Sequence, residues 1–354
     1  MQQFFLLLAG ISSVCMAVPA SAEVQVRLDT SFASSVLNDV CSNQAIDEAG
    51  IRNSTVVKDM LAHFSKFRDY FTMDEYIAAR KSAAACAPPE RDYFRFSEVI
   101  EKRDDLARIV AALSEQTEGF SDTITQMVSV YTPTGMRYDG VATVIVGGPS
   151  CGGWAIDGGF YVDLPCIGDD EEGLRYLIAH EIYHGVQSLF VPVVDDDAPA
   201  PLKIFDAIIR EGSAITAADF SEIEEPGAYA KLSQRINRNN AGRTDENFDL
   251  LDLAFVYLSA SDDPAAADRV YNIGLSGVFD SPFYYVGAEM VQAIEKAFGR
   301  EALLCVMGLQ QAEFVFAYAA AIGDDEDVAR PLPASVMNAA KAVRSDNATF
   351  NSCL

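Results

Sequence analysis

The segment from Leu174 to Val186 constrains the fold more than any other part of the sequence. His180, Glu181 and His184 lie within it, and each has an ionisable side chain. The apolar residues around them recur at helical spacing: Leu174, Leu177, Ile178, Ile182 and Val186. This spacing predicts a largely buried helix. Because a buried ionisable group without a partner is costly, we expect these three to be paired or coordinated.

His180 and His184 are four residues apart, so on a helix their imidazoles stand one turn above each other and can reach one ion. Glu181 is displaced around the helix and can act as general base on a metal-bound water. Two satisfied core histidines, or a solvated helix face, are the alternatives, and the apolar surroundings argue against the solvated face. We therefore predict that His180 and His184 bind Zn²⁺ and that Glu181 is catalytic.

A catalytic zinc site usually has three protein ligands, and Glu211 is the best candidate for the third. It interrupts an apolar stripe on a second predicted helix, formed by Ile204, Ile208 and Ile215. An unpaired carboxylate there would be costly, and a zinc ion is a natural partner. The alternative is a buried ion pair with Arg175 or Arg210. The remaining histidine, His63, lies more than 100 residues upstream.

The motif His180 to His184 followed by Glu211-Gly212-Ser213-Ala214 resembles the gluzincin metallopeptidases, and within them a group of loosely characterised zinc peptidases. The resemblance covers roughly Val141 to Phe220. It implies a zincin-like fold in which Glu211 is a zinc ligand. Thermolysin-like members carry an acidic residue where Ile215 stands here, so another group, Asp219 or a backbone carbonyl, is expected to orient a histidine.

The pattern outside the motif predicts an α+β fold that is mostly helical, with a small antiparallel sheet beside the metal-binding helix. Helical spacing extends from about Glu23 to Val130, and strand character from 141 to 164. Trp154 to Leu164 is typical of a hairpin that turns at Asp157-Gly158-Gly159. In its second strand, apolar and polar residues alternate as in a half-buried strand.

We divide the chain into four parts. Residues 1–22 form a signal peptide, 23–140 an N-terminal helical region, 141–220 the zinc-binding catalytic core, and 221–354 a C-terminal helical region. The signal peptide rests on the apolar run from Phe4 to Val18 and the Ala20-Ser21-Ala22 cleavage site. No later segment reaches 18 apolar residues, so no membrane span is expected after cleavage. The expected location is periplasmic or secreted.

The net charge of −26 disfavours nucleic acid and anionic membrane surfaces as partners. We interpret this excess of acidic residues mainly as a means of keeping the protein soluble, and secondarily as an attraction for basic substrates.

Six cysteines remain after removal of the signal peptide, which permits up to three disulfides. One of these is predicted between Cys151 and Cys166, at opposite ends of the hairpin.

The expected reaction is peptide-bond hydrolysis by a zinc-bound water that Glu181 activates, with a peptide or protein as substrate. The resemblance implies that Gly159–Leu164 is an edge strand for an extended substrate, although a core strand is equally compatible. Tyr284 and Tyr285 are candidate oxyanion donors.

Hydrolysis of an ester or a cell-wall amide is an alternative reaction. A non-catalytic, zinc-stabilised binding protein is an alternative of another class. No feature of the sequence indicates the oligomeric state.

Overall fold

The computed structural model describes residues 22–354, except 67, 116, 151, 157–158, 278, 324–329 and 346–348. Its strands are β1 Glu23–Asp29, β2 Arg137–Ile145, β3 Gly152–Ile156 and β4 Gly159–Asp163. Its helices are α1 Ser31–Asp39, α2 Glu48–Asn53, α3 Thr55–Phe64, α4 Met73–Ala84, α5 Phe96–Glu101, α6 Arg103–Glu115, α7 Thr117–Val130, α8 Glu171–Gln187, α9 Ala200–Ala217, α10 Ala228–Ala241, α11 Thr244–Ala260, α12 Ala266–Gly274, α13 Pro282–Phe298, α14 Arg300–Met307, α15 Gln311–Ile322 and α16 Ala334–Val343. The predicted signal peptide lies outside the described residues, apart from Ala22.

The sheet has four strands in the order β1-β2-β4-β3. β1 and β4 both run parallel to β2, and only the β3–β4 hairpin is antiparallel, with Trp154 opposite Tyr161. The mostly helical α+β prediction is confirmed, whereas the antiparallel sheet is wrong because the sheet is mixed. The missed strand is β1, where helix was expected. Its buried valines, Val24 and Val26, alternate with exposed Glu23 and Gln25, which is the period of a strand.

β4 lies inside the sheet, between β2 and β3. Its residues from Phe160 to Asp163 are all buried, so both faces are covered and the expected half-buried alternation is wrong. The proposed substrate-binding edge at Gly159–Leu164 is also wrong, and the core-strand alternative is correct. In the described part of the chain, the sheet ends at β3 on this side.

The two helices that carry the site follow the sheet in sequence. α8 begins after Asp170, whose carboxylate accepts a hydrogen bond from Gly173 N–H, with Glu171 and Glu172 in its first turn. α9 begins at Ala200 with Pro201 in its first turn, where a missing N–H costs nothing. Both helices were expected from the sequence.

The apolar core has two clusters. The first joins the sheet to α1 through α8, and the second joins α9 to α11 through α16. α9 contributes to both, because Ile204 and Ile208 pack in the second cluster and Ala214 and Ala217 in the first. The helices α8 and α9 therefore meet at the boundary between the two clusters.

Between residues that the structure describes, two disulfides join distant positions, Cys41 with Cys86 and Cys305 with Cys353. The predicted Cys151–Cys166 pairing involves Cys151, which lies outside the described residues. Among the helices of the described part, none is long and apolar enough to cross a membrane.

Candidate metal centre

Three side chains from α8 and α9 converge at one point. The Nε2 atoms of His180 and His184 are 3.3 Å apart, and each lies 3.4 Å from Oε2 of Glu211. The structure thus brings together the three residues for which the sequence predicts a zinc site. Within the described part of the chain, the potential metal-binding atoms of these three residues all lie within 4.8 Å of one another, which is close enough to hold one metal ion.

The spacing of these atoms fits a tetrahedral zinc ion. Zinc lies about 2.0–2.1 Å from histidine nitrogen and carboxylate oxygen, so two ligand atoms on a tetrahedron are about 3.3 Å apart. Glu211 Oε2 is buried and lacks a hydrogen-bond partner among the described residues. A buried anionic oxygen in this state is destabilising unless a cation neutralises it. The donor set of two imidazoles and one carboxylate suits zinc.

Gln187 determines which nitrogen of His184 faces this point. The amide nitrogen of Gln187 donates to the carbonyl oxygen of Arg210 at 2.8 Å and to the hydroxyl of Ser213 at 2.7 Å. Its oxygen must therefore face Nδ1 of His184, 2.8 Å away, and Nδ1 carries the proton. The lone pair of Nε2 is left for a metal ion.

Gln187 was not predicted from the sequence, which indicated Asp219 or a backbone carbonyl in this role. Asp219 accepts hydrogen bonds from Ser221 N–H and from the amide of Asn237, away from the histidines. The signal for Gln187 was present, since a polar residue three positions after His184 on a buried helix needs a partner.

Charges at the centre reinforce one another. Burial by itself would raise the pKa of Glu211, but the neighbouring His184 and His180 hold it well below its usual range. Burial likewise opposes protonation of His184, and the Glu211 carboxylate overcomes this effect and raises the pKa of His184 to about 9. The cluster therefore attracts positive charge.

The alternative ion pair for Glu211 is wrong. Arg175 instead pairs with Glu171 and Glu172, and Arg210 pairs with Asp206 at 2.8 Å. Both guanidinium groups are thus paired with carboxylates other than Glu211.

Glu181 lines the same cleft from the side of the sheet. Its Cγ lies 3.0 Å from the position that a Cβ atom on Gly153 of β3 would occupy. A side chain at Gly153 would therefore crowd Glu181. Burial raises the pKa of Glu181, so its carboxylate is a stronger proton acceptor than one in water.

Three tyrosines face the centre. The ring of Tyr284 is nearly parallel to that of His180, with centroids 6.5 Å apart. Burial, and then the charge of Glu211, raises the pKa of Tyr284 and also that of Tyr271. Tyr229 lies beside β3, with its hydroxyl 3.8 Å from the position of a Cβ atom on Gly152. All three are neutral hydrogen-bond donors at physiological pH.

Of the two tyrosines proposed from the sequence, only Tyr284 has its ring against a metal-centre histidine. Tyr285 donates a hydrogen bond to Asn237 Oδ1 at 2.5 Å. Tyr229 and Tyr271 were missed, because they come from α10 and α12, which have no local link to the motif.

The cleft has a volume of about 870 Å³ and also contains His63, the third histidine. The His63 ring stacks on Trp154 of β3, with centroids 6.1 Å apart. All three histidines of the chain thus line one cleft. This placement could not be foreseen from the distance between them in sequence.

Comparison with known proteins places the chain in a family. The chain belongs to the family described as "Putative zinc dependent peptidase (DUF5700)", whose model matches residues 51–327. That range includes the hairpin, both site helices and the three tyrosines. No curated protein and no solved structure matches the chain.

Proposed function

We propose that the protein is an exported peptidase in which His180, His184 and Glu211 hold zinc and Glu181 is the general base. The observation that carries the proposal is the triangle of ligand atoms, with sides of 3.3–3.4 Å, on two adjacent helices. The family description supports zinc dependence and a peptide or protein substrate. The two disulfides support export, because they persist in oxidising compartments.

A zinc ion at this site would polarise the substrate carbonyl and lower the pKa of the attacking water. Glu181 takes the proton from that water and later passes it to the leaving amine, since its raised pKa favours proton uptake. Tyr284 is the donor that we assign to the developing oxyanion. Its neutral hydroxyl is held at the centre by the stacking of its ring near His180.

The substrate backbone is proposed to add to β3. This strand pairs with β4 on one side and lines the cleft with Gly152, Gly153 and Ala155. An extended peptide can pair with the open side of such a strand. The absence of side chains at the two glycines lets the peptide approach closely, next to Glu181.

The test is the substitution Glu181→Gln, which keeps size and polarity but removes the base. We expect one zinc ion per chain to remain bound while peptide hydrolysis falls about a hundredfold or more. Glu172→Gln, in the first turn of the same helix, is the matched control and should retain both zinc and activity. Zinc content and cleavage of a peptide mixture are measured for both variants. Near-normal hydrolysis by Glu181→Gln would refute the proposed mechanism.

A further inference from the structure

A second pocket of about 280 Å³ adjoins the metal-centre cleft. The two cavities share three lining residues, Ile215, Asn237 and Tyr285. The hydrogen bond from Tyr285 to Asn237 lies in this shared wall. A group bound beside the metal centre therefore has a second space next to it.

Two helices run from the metal centre to this pocket. Glu211 of α9 and Tyr284 of α13 line the metal-centre cleft, and Ile215 lines both cavities. Glu289 of α13 lines the second pocket. Tyr284 and Glu289 are separated by about 7.5 Å along the helix axis. A lysine carries its ammonium group on a four-carbon stem, and an arginine is longer, so either can cover that distance.

The lining of the pocket combines apolar and polar side chains, and Glu289 is one of its two carboxylates. Glu289 is half-buried and has no ion pair or hydrogen bond within the described part of the chain. The other charged residues of the lining are Asp219 and Arg238. Asp219 is engaged by Ser221 and Asn237, and Arg238 is exposed. The lining therefore has two carboxylates and one guanidinium, so its net formal charge is negative.

We propose that this pocket is a specificity site for a basic side chain of the substrate, lysine or arginine, with Glu289 as its ion-pair partner. The inference rests on the proposed peptidase function and names its substrate class. Burial raises the pKa of Glu289, and a cationic side chain beside the carboxylate would offset this effect. The net charge of −26 on the whole chain also attracts basic peptides.

The experiment uses a set of peptides that differ at a single position, which is lysine, methionine or glutamate. The same three residues are tested at each position of the peptide in turn. The ratio of kcat/KM for lysine over methionine is measured for the zinc-loaded protein. We expect a ratio of about 10 or more at one position, and a fall of about tenfold in that ratio for Glu289→Gln. The control Glu115→Gln removes one exposed carboxylate outside the pocket and should leave the ratio unchanged.

Binding provides a second readout. The lysine peptide is titrated into Glu181→Gln and into the double variant Glu181→Gln/Glu289→Gln, and we expect the double variant to bind about tenfold more weakly. Equal binding, or a lysine ratio that Glu289→Gln does not change, would overturn the specificity site. A wild-type protein that cleaves no peptide would refute the proposed function instead, and the binding titration would still decide the pocket.

Discussion

At the scale of single residues, Gln187 links the two helices of the candidate metal centre. Its side chain contacts His184 on α8 and both Arg210 and Ser213 on α9, on either side of Glu211. It therefore holds the His184 imidazole in one tautomer and keeps α9, the helix of Glu211, in place. Partners of this kind contribute to metal affinity although they do not touch the metal.

Replacement of Gln187 by leucine should weaken zinc binding about 10- to 100-fold, because Nδ1 of His184 loses its acceptor. Chelator competition on the folded variant measures the affinity. Gln25→Leu, on the exposed side of β1, is the control and should bind zinc as the wild type does. Unchanged affinity in Gln187→Leu would show that the hydrogen bond does not orient the ligand.

The buried carboxyl group of Asp163 is expected to make the free energy of unfolding depend on pH. Both oxygens of its carboxylate are buried and lack a hydrogen-bond partner among the described residues. Burial raises its pKa from 3.8 to about 8. The folded state therefore holds this proton more tightly than the unfolded chain, and the contribution of Asp163 to stability falls as pH rises from about 4 to about 8.

We expect Asp163→Asn to remove this part of the pH dependence, since the amide does not ionise. Urea unfolding at pH 5 and pH 8 compares the variant with the wild type and with exposed Asp268→Asn. Between pH 5 and pH 8, Asp163→Asn should lose less stability than the wild type, whereas Asp268→Asn should lose as much as the wild type. Equal losses in all three proteins would contradict the assignment.

At the scale of elements, the crossing of α9 and α13 shapes the metal centre. A Cβ atom on Gly212 would lie 2.2 Å from the carbonyl carbon of Gly287, and one on Gly287 would lie 2.2 Å from the carbonyl oxygen of Ile208. Only glycine at both positions permits this approach. The close contact brings Glu211 and Tyr284, one residue before Gly212 and three before Gly287, to the same cleft.

Gly212→Ala should destabilise the protein by about 1–3 kcal/mol or more, because the helices must separate to accept the methyl group. Zinc affinity should fall as well, since Glu211 moves with α9. Gly119→Ala is the matched control, because its added Cβ has no atom within 4 Å and lies on helix α7. That variant should gain about 0.5–1 kcal/mol. Urea unfolding and zinc titration distinguish the two, and a Gly212→Ala protein of wild-type stability would contradict the packing argument.

At the scale of the whole molecule, the cleft lies between two apolar clusters, and each cluster has a disulfide beside it. Cys41 packs against the first cluster and Cys353 against the second. The two bridges close loops with sequence separations of 45 and 48 residues. Loops of this size correspond to about 4 kcal/mol of stabilisation each in the chain-entropy model.

The double substitution Cys305→Ala/Cys353→Ala should lower the free energy of unfolding by about 2–4 kcal/mol. Zinc affinity should be unchanged well below the melting temperature, because neither cysteine lines the cleft. Calorimetry and zinc titration measure the two effects separately. A variant that loses zinc while it remains folded would show that the second cluster is coupled to the metal centre.

The features that depend on the spacing of nearby residues could be predicted from the sequence. Two histidines four residues apart, and a glutamate within an apolar stripe, predicted the helices α8 and α9 and the three side chains that converge. The hairpin of β3 and β4 was predicted for the same reason, since its signal is contained in about ten residues. Zinc binding by the convergent residues stays a prediction that the proposed experiments test.

The contacts between distant segments became visible only in the folded chain. β1 is parallel to a strand more than 100 residues later, and this pairing made the sheet mixed and placed β4 inside it. His63, Tyr229 and Tyr271 entered the cleft from three separate helices. A periodic pattern shows that a residue is buried, but not against what, because burial is satisfied by any apolar partner. The contacts of Gln187 and the Gly212–Gly287 crossing were decided by packing of whole elements, which local spacing does not encode.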